Sequence, residues 1–390
     1  MKRKLIRLTT MDYSLSKLIE GQLRYMSEYF DVVGVASDSG VLSHVGEREG
    51  VRVVDVPMHR EISLKDDFHS LRTLYKLFKA EKPDILHCNT PKGSLLGLIA
   101  GKLAGVPNRV YTVTGLRYQG AQGLFRWVLM TMERISCYCA TTVVPEGQGV
   151  LHTLQKDHIT RKPLQVLHHG NINGIDTSFF SREALTKSDH SMVSRESLGF
   201  SDEDFVFVFI GRIVHDKGMN ELASVMKKLE GETLDCPVKL LLVGTFESRL
   251  DPLEGDNEAY LMSSSSVKYV GFQDDVRTYL AVADALVFPS YREGFPNVPI
   301  QAGALDLPSI VTDINGCNEI IKDGLNGKII AAPLSVGPEK MEKALYETMK
   351  WFVEHQEEVS RMARNARGII TSRYEQKDVW AATLRMYQSL

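Results

Sequence analysis

Nowhere in the 390 residues does an uncharged apolar run reach the ~18 residues that a membrane span needs. The most apolar long run, Leu124 to Ala140, is interrupted by Arg126, Glu133 and Arg134. Met1 to Leu8 is basic but has no apolar stretch behind it, so it does not read as a signal peptide. Cysteine is scarce: five residues, odd in number and scattered, fit a reducing compartment better than a disulfide framework. Cys137-Tyr-Cys139 has no second pair or histidine at zinc spacing and reads as core. Charge of one sign is also missing, since 46 Lys and Arg stand against 49 Asp and Glu, for a net −3. That balance argues against nucleic acid as a main partner, because phosphate binding normally leaves a basic excess. The expected location is the cytoplasm, with the inner face of the membrane as a peripheral station.

The near-neutral total conceals an asymmetry. Residues 1–180 carry 23 Lys and Arg against 17 Asp and Glu, whereas residues 181–390 carry 23 against 32. At roughly 150 residues per domain the length suggests two or three domains. Strand-like and helix-like runs alternate throughout. Strands are expected at Lys4–Thr10, Val32–Ala36, Val51–Val56, Ile85–Cys88, Arg109–Val113, Thr141–Val144 and Leu164–Leu167, and helices at Leu15–Tyr29, Leu64–Ala80 and Ser94–Ala104. A polar stretch, Ser181–Glu196, has the composition of a linker. A second series follows at Phe205–Ile210, Val238–Val243, Val267–Val270, Ala285–Phe288 and Ser309–Val311, and from Glu339 to Leu390 the pattern is helical. Continuously apolar strands belong to parallel sheets covered on both faces. The pattern is therefore α/β, with two doubly wound domains facing across a cleft and a helical tail. Residues 1–180 form the expected first domain, with helix 375–390 packing back on it, and residues 181–374 the second.

Ligands of such sheets bind beyond the carboxyl ends of the strands, and three polar segments lie there. In Gly211-Arg-Ile-Val-His-Asp-Lys-Gly218, Gly211 permits close approach, and Arg212 and Lys217 place two cations at a strand–helix turn. This suits a diphosphate, without the Lys-Ser/Thr of a P-loop; a solvated loop with two surface cations fits as well. In Pro289 to Gly303, Glu293 precedes a Gly-Phe-Pro-Asn turn and a short helix on which Gln301 is also expected. Glu293 could bind sugar hydroxyls or simply complement the helix dipole. Thr312 to Glu319 is a polar turn whose Asn315 and Gly316 amides could meet the same ligand, or an Asx-type turn.

Together these segments resemble the family 4 glycosyltransferases, retaining enzymes of the GT-B fold. The likeness rests on Gly211-Arg212 with Lys217-Gly218, Val270-Gly-Phe-Gln-Asp274, Ala283 to Ser290, Glu293-Gly-Phe-Pro, and Asn315 to Glu319 through Asp323-Gly-Leu-Asn-Gly327. Leu86 to Gly93 and Asn173-Gly-Ile-Asp176 extend it into the first half. Members that build capsule and other surface polysaccharides are the most alike. The resemblance implies that Arg212 and Lys217 hold the diphosphate of a nucleotide sugar, a UDP-sugar by expectation, and stabilise the leaving nucleotide. Glu293 would bind the donor sugar, Gly294, Phe295, Pro296 and Asn297 would contact sugar and phosphate, and Phe272 would flank the base. Neither metal nor cofactor is implied. The sole Asp-x-Asp, Asp202-Glu-Asp204, precedes a strand and reads as a solvated turn.

Three positions depart from the family pattern. Gln301 stands where a second glutamate usually holds the ribose, although an amide can still both accept and donate. Thr114 replaces the frequent histidine before Gly115 and is assigned a positioning role. The Gly-rich first loop is replaced by Thr9 to Leu15. The acceptor side is assigned to Ser14, Lys92, Thr114 and Arg117, and the acceptor to a glycan or a polyprenyl-linked saccharide. If that acceptor is lipid-linked, Leu124–Ala140 or the basic half would lie against an anionic membrane; otherwise Leu124–Ala140 is a buried core helix. His87, His168 and His169 are expected to be structural, since the departing phosphate can take the acceptor's proton. Two other functions remain open on sequence: a nucleotide-sugar epimerase, and a non-catalytic nucleotide-sugar-binding protein.

Overall fold

The strands are apolar on both faces, and the chain supplies helical cover for such a sheet twice. The computed structural model describes residues 2–59, 63–187, 193–249 and 251–390. The chain divides into two units, Met1–Gly174 with Gln376–Leu390, and Ile175–Glu375. The division falls at Gly174/Ile175 and not at 180, and the chain returns to the first unit at Gln376.

In the first unit six parallel strands, β1 (Lys4–Met11), β2 (Asp31–Ser37), β3 (Arg52–Asp55), β4 (Ile85–Cys88), β5 (Asn108–Val113) and β6 (Thr142–Pro145), lie in the order 3-2-1-4-5-6. In the second, β7 (Phe205–Ile210), β8 (Val238–Val243), β9 (Val267–Tyr269), β10 (Ala285–Phe288), β11 (Ser309–Thr312) and β12 (Gly327–Ile330) lie in the order 12-11-10-7-8-9. Read from its other edge, that is the same arrangement. Each sheet therefore reverses direction once, between β1 and β4 and between β7 and β10, where doubly wound folds bind ligands. The central β7, Phe-Val-Phe-Val-Phe-Ile, is buried throughout, as a strand covered on both faces requires.

Several expected elements differ. Leu15–Tyr29 is not one helix. Asp12–Leu18 and Gln22–Ser27 are separated by Gly21 at φ +78, a left-handed turn where a Cβ would lie 2.7 Å from Trp380 of the C-terminal helix. Leu164–Leu167 forms no strand, only a single bridge from Leu164 to Val143, because the apolar run is too short to extend the ladder. The Ser181–Glu196 linker contains the helix Arg182–Thr186, capped by the Ser181 hydroxyl, and the start of Arg195–Leu198; its residues 188–192 lie outside the described ones. Behind the second sheet, helix Asn297–Ala304 crosses Gln356–Tyr374 so closely that a Cβ on Gly303 would lie 2.7 Å from Ile370.

Candidate active site of the second unit

Three loops leave the carboxyl ends of β7, β10 and β11 and are laced together. Gly218, at φ +74, begins the helix Met219–Glu230, and a Cβ there would sit 2.1 Å from the Pro289 carbonyl oxygen. Only glycine permits that approach. The Tyr291 amide donates to the Asp216 carbonyl at 2.9 Å, the Tyr291 hydroxyl donates to Glu221 at 2.5 Å, and Arg292 pairs with Asp216. Gly316, also at φ +74, presses onto the second loop, with a would-be Cβ 2.6 Å from Phe295 Cα and 2.8 Å from the Gly294 oxygen. Thr312 donates from its hydroxyl to the Ser290 carbonyl at 2.5 Å.

This lacing brings together residues distant in sequence. Lys217, in the turn His215–Lys217, forms an ion pair with Glu293, each side chain 16% exposed. The Lys217 ammonium also lies 5.3 Å from the centre of the Phe288 ring. Glu293 is not on the helix that carries Gln301; it sits in the turn ahead of Asn297–Ala304, whose first residue follows Pro296. No side chain caps that helix at Pro296, and its first turn carries Pro299, which has no amide to offer. Gln301 is half-buried within the helix. Beneath the pair, burial first and then the charge of Glu293 push the Cys317 thiol well up, keeping it protonated and unreactive.

Arg212 is not part of that pair. It is half exposed and its guanidinium holds Glu247 at 2.8 Å. Phe272 stands 52% exposed after β9. A residue that sequence reasoning missed, Gly244 at the end of β8, has φ +145 and would place a Cβ 1.7 Å from the Gly211 oxygen. Its amide donates to the Gly271 carbonyl at 2.8 Å, so glycines at the ends of β7, β8 and β9 stack side by side. The readable signal was a glycine directly after an apolar strand, the same signal that marked Gly211.

The equivalent position in the first unit has a different character. Arg7 on β1 lies beside His87 on β4 in register. Arg7 is fully buried and donates to Gln22 at 2.5 Å, to the Tyr387 hydroxyl at 2.9 Å and to Asn89 at 3.1 Å, none of them a carboxylate. His87 contacts the Tyr387 hydroxyl at 2.5 Å through Nδ1 and the Thr112 hydroxyl at 2.7 Å through Nε2. Burial, and then the charge of Arg7, hold its pKa well below the ordinary value, so it stays neutral. A cavity of about 20 Å³ lined by Gln22, His87, Glu146 and Thr383 is large enough for one water. Of the acceptor-side residues, Ser14 is half-buried on Asp12–Leu18, and Lys92 is buried with its ammonium 2.5 Å from Asp67. Thr114 donates to the Asn89 carbonyl at 2.7 Å, and Arg117 is exposed. Asp12, next to Ser14, is buried, which alone would raise its pKa. Bonds from Ser39, Val41 and Tyr13 outweigh this and hold it below the usual range.

Twin doubly wound units with a charged cluster at one reversal point define a class, and the matches to known families agree. Residues 192–369 match the glycosyl transferases group 1 and residues 18–145 the glycosyl transferase 4-like family. The chain belongs to the group 1 glycosyltransferases and is a glycosyltransferase of GT-B fold. Over 390 residues it is 29% identical to the capsular polysaccharide biosynthesis glycosyltransferase CapM of Staphylococcus aureus, covering 99% of this chain and 97% of that one. It is 30% identical over 316 residues to the UDP-Gal:alpha-D-GlcNAc-diphosphoundecaprenol alpha-1,3-galactosyltransferase of Escherichia coli, covering 78% and 77%. In structure it is similar to Anabaena HepE, solved in complex with UDP and glucose, with a TM-score of 0.77 and 17% identity over the whole of both chains.

Proposed function

We propose that the chain transfers a sugar from a UDP-sugar to a lipid-linked saccharide in surface polysaccharide synthesis, with retention at the anomeric carbon and without a metal. The observation that carries this reading is the Lys217–Glu293 pair, set where the second sheet reverses and beside the uncapped start of Asn297–Ala304. A diphosphate competes with Glu293 for the Lys217 ammonium. Once Lys217 is so engaged, the Glu293 carboxylate is free to accept from sugar hydroxyls. Arg212 and Lys217 then face the diphosphate, whose charge grows as the bond to the sugar breaks. Fixed donors aimed at developing charge lower the barrier selectively.

The bond from the anomeric carbon to the diphosphate oxygen breaks, and its electron pair leaves with the nucleotide. The acceptor oxygen bonds to that carbon on the same face, and its proton passes to the departing phosphate. No protein base is required, in keeping with the neutral, buried His87. Gln301 binds the ribose, Phe272 flanks the base, and Gly211, Gly294, Phe295, Pro296, Asn315 and Gly316 shape the pocket wall. Ser14, Thr114 and Arg117 serve the acceptor, and Lys92, assigned to the same side, is held in its pair with Asp67. The lipid-linked acceptor is supported by the undecaprenol substrate in the name of the Escherichia coli relative. Full-length identity to a transferase favours transfer over epimerisation or binding alone.

The test is a screen of UDP- and GDP-sugars against a diphosphoundecaprenol saccharide, with and without EDTA, reading nucleotide release and the anomer formed. UDP release that needs the acceptor and persists in EDTA, with a retained anomer, is the expected result. An inverted product, or strict dependence on added Mn²⁺ or Mg²⁺, would overturn the mechanism.

A further inference from the structure

A helix laid on a sheet in a water-soluble domain normally turns a polar stripe outward. Helix Gly123–Cys139 does the reverse. Positions 124, 127, 131, 135 and 138 follow one another at helical spacing along its outer face. Leu124 is 77% exposed, Trp127 60%, Ile135 40% and Tyr138 71%, with Phe125 at 52% beside them. Thr131 is the one polar residue in that row. The inner face, Leu129, Met130, Glu133, Ser136 and Cys137, is buried. Of the two readings of Leu124–Ala140, the buried core helix is corrected, because only one face of the helix is covered.

In the sequence around the stripe basic residues outnumber acidic ones. Residues 91–162 carry nine Lys and Arg against three Asp and Glu. Two of those acids are out of reach: Glu133 is buried and accepts from the Tyr111 hydroxyl at 2.6 Å, and Glu146 is buried too. The third, Asp157, sits 3.7 Å from Arg126. The exposed Lys102 caps the Tyr138 ring at 3.5 Å, and Leu103, 65% exposed, continues the apolar surface onto the neighbouring helix Pro91–Ala104. The helix spans roughly 25 Å at about 1.5 Å per residue, and it starts beyond the carboxyl end of β5, the edge at which such sheets take their ligands. No described helix is long and apolar enough to cross a membrane.

We propose that this face docks on an anionic lipid bilayer, lying in its surface with Leu124, Phe125 and Trp127 among the acyl chains and Lys102 and Arg134 at the headgroups. An apolar stripe with cationic margins is complementary to that surface on both counts. A second copy of the chain would instead set cation against cation. The proposal deepens the lipid-linked-acceptor reading and rests on it for its purpose, whereas vesicle binding is measured without donor or acceptor.

The full-length chain is floated with vesicles of phosphatidylcholine alone and of equal parts phosphatidylcholine and phosphatidylglycerol. Binding is expected only to the anionic vesicles and falls as salt is raised. The triple variant Leu124→Ser, Phe125→Ser, Trp127→Ser, altered only at exposed positions, should bind at least about tenfold more weakly. It should keep its melting temperature and its transfer to a short water-soluble acceptor. Brominated acyl chains should quench the wild-type fluorescence, and Trp127→Phe should abolish the quenching while preserving binding. Absence of wild-type binding, undiminished binding by the triple variant, or a wild-type dimer that the triple variant dissolves would each overturn the proposal. Vesicle binding without transfer from any donor would support it and defeat only the donor reading.

Discussion

The two sheets reverse direction at equivalent places, yet one reversal point is sealed and the other presents charge. In the first unit Arg7, Gln22, His87 and Asn89 close over the β1/β4 boundary, and Tyr387 from the C-terminal helix completes the seal. In the second, Lys217 and Glu293 sit partly open to solvent between the exits of β7 and β10. The same topology thus provides a place where a ligand can bind, and the side chains decide whether it is filled by protein. A buried cation held by neutral acceptors is costly to disturb. An ion pair that is only partly buried can exchange its anion for another at lower cost.

That contrast can be broken first at Lys217. Lys217→Ala should lower kcat/KM by about 10²–10³-fold, the usual effect of removing one donor from a charge-stabilising site. Its urea midpoint should stay at the wild-type value. The counterpart, Arg7→Ala, should do the opposite: a loss of roughly 2–4 kcal/mol in urea unfolding, because Gln22, Asn89 and Tyr387 are left without their donor. Transfer per folded molecule should change much less. If both variants lost activity and stability in equal measure, the distinction between sealed and open sites would fail.

A smaller effect tests how tightly the first unit is sealed beneath its outward apolar helix. Burial raises the Glu133 pKa to about 7, although the bond from Tyr111 opposes this. With the folded value above the unfolded one, the native state binds the extra proton between pH ~4.5 and ~7, and stability falls as pH rises through that window. Glu133→Gln should therefore leave the unfolding free energy unchanged near pH 4.5 and raise it above pH 7, by on the order of 1–3 kcal/mol. The smallest effect is expected at Gln301. Gln301→Glu should keep donor binding within about tenfold of wild type in calorimetry, since either group accepts from a ribose hydroxyl. Complete loss of donor binding would remove Gln301 from the ribose.

Much of this contrast was legible in the sequence and part was not. The two runs of apolar strands, and the polar segments after β7, β10 and β11, stood out because buried parallel strands are continuous and ligands gather at their ends. Gly21 hid a break in an otherwise helical pattern. β12, Gly-Lys-Ile-Ile, was too short and too polar at one position to be read as a strand. Lys217 and Glu293 were each readable as candidates, but their pairing across 76 residues was not. Local patterns carry no record of such contacts. The outward apolar row of Gly123–Cys139 was visible as composition only, because hydrophobicity alone does not say which face meets the core.

The bond from Arg7 to Tyr387 has a consequence for the order in which the molecule is made. It joins residues 380 apart in sequence. At about 5–20 residues per second on the ribosome, Arg7 waits roughly 20–75 s for its last hydrogen-bond acceptor to be synthesised. All of Ile175–Glu375 has been synthesised by then. The unit that begins first in the chain is therefore completed only after the second has been synthesised, and its buried guanidinium lacks the Tyr387 acceptor until then.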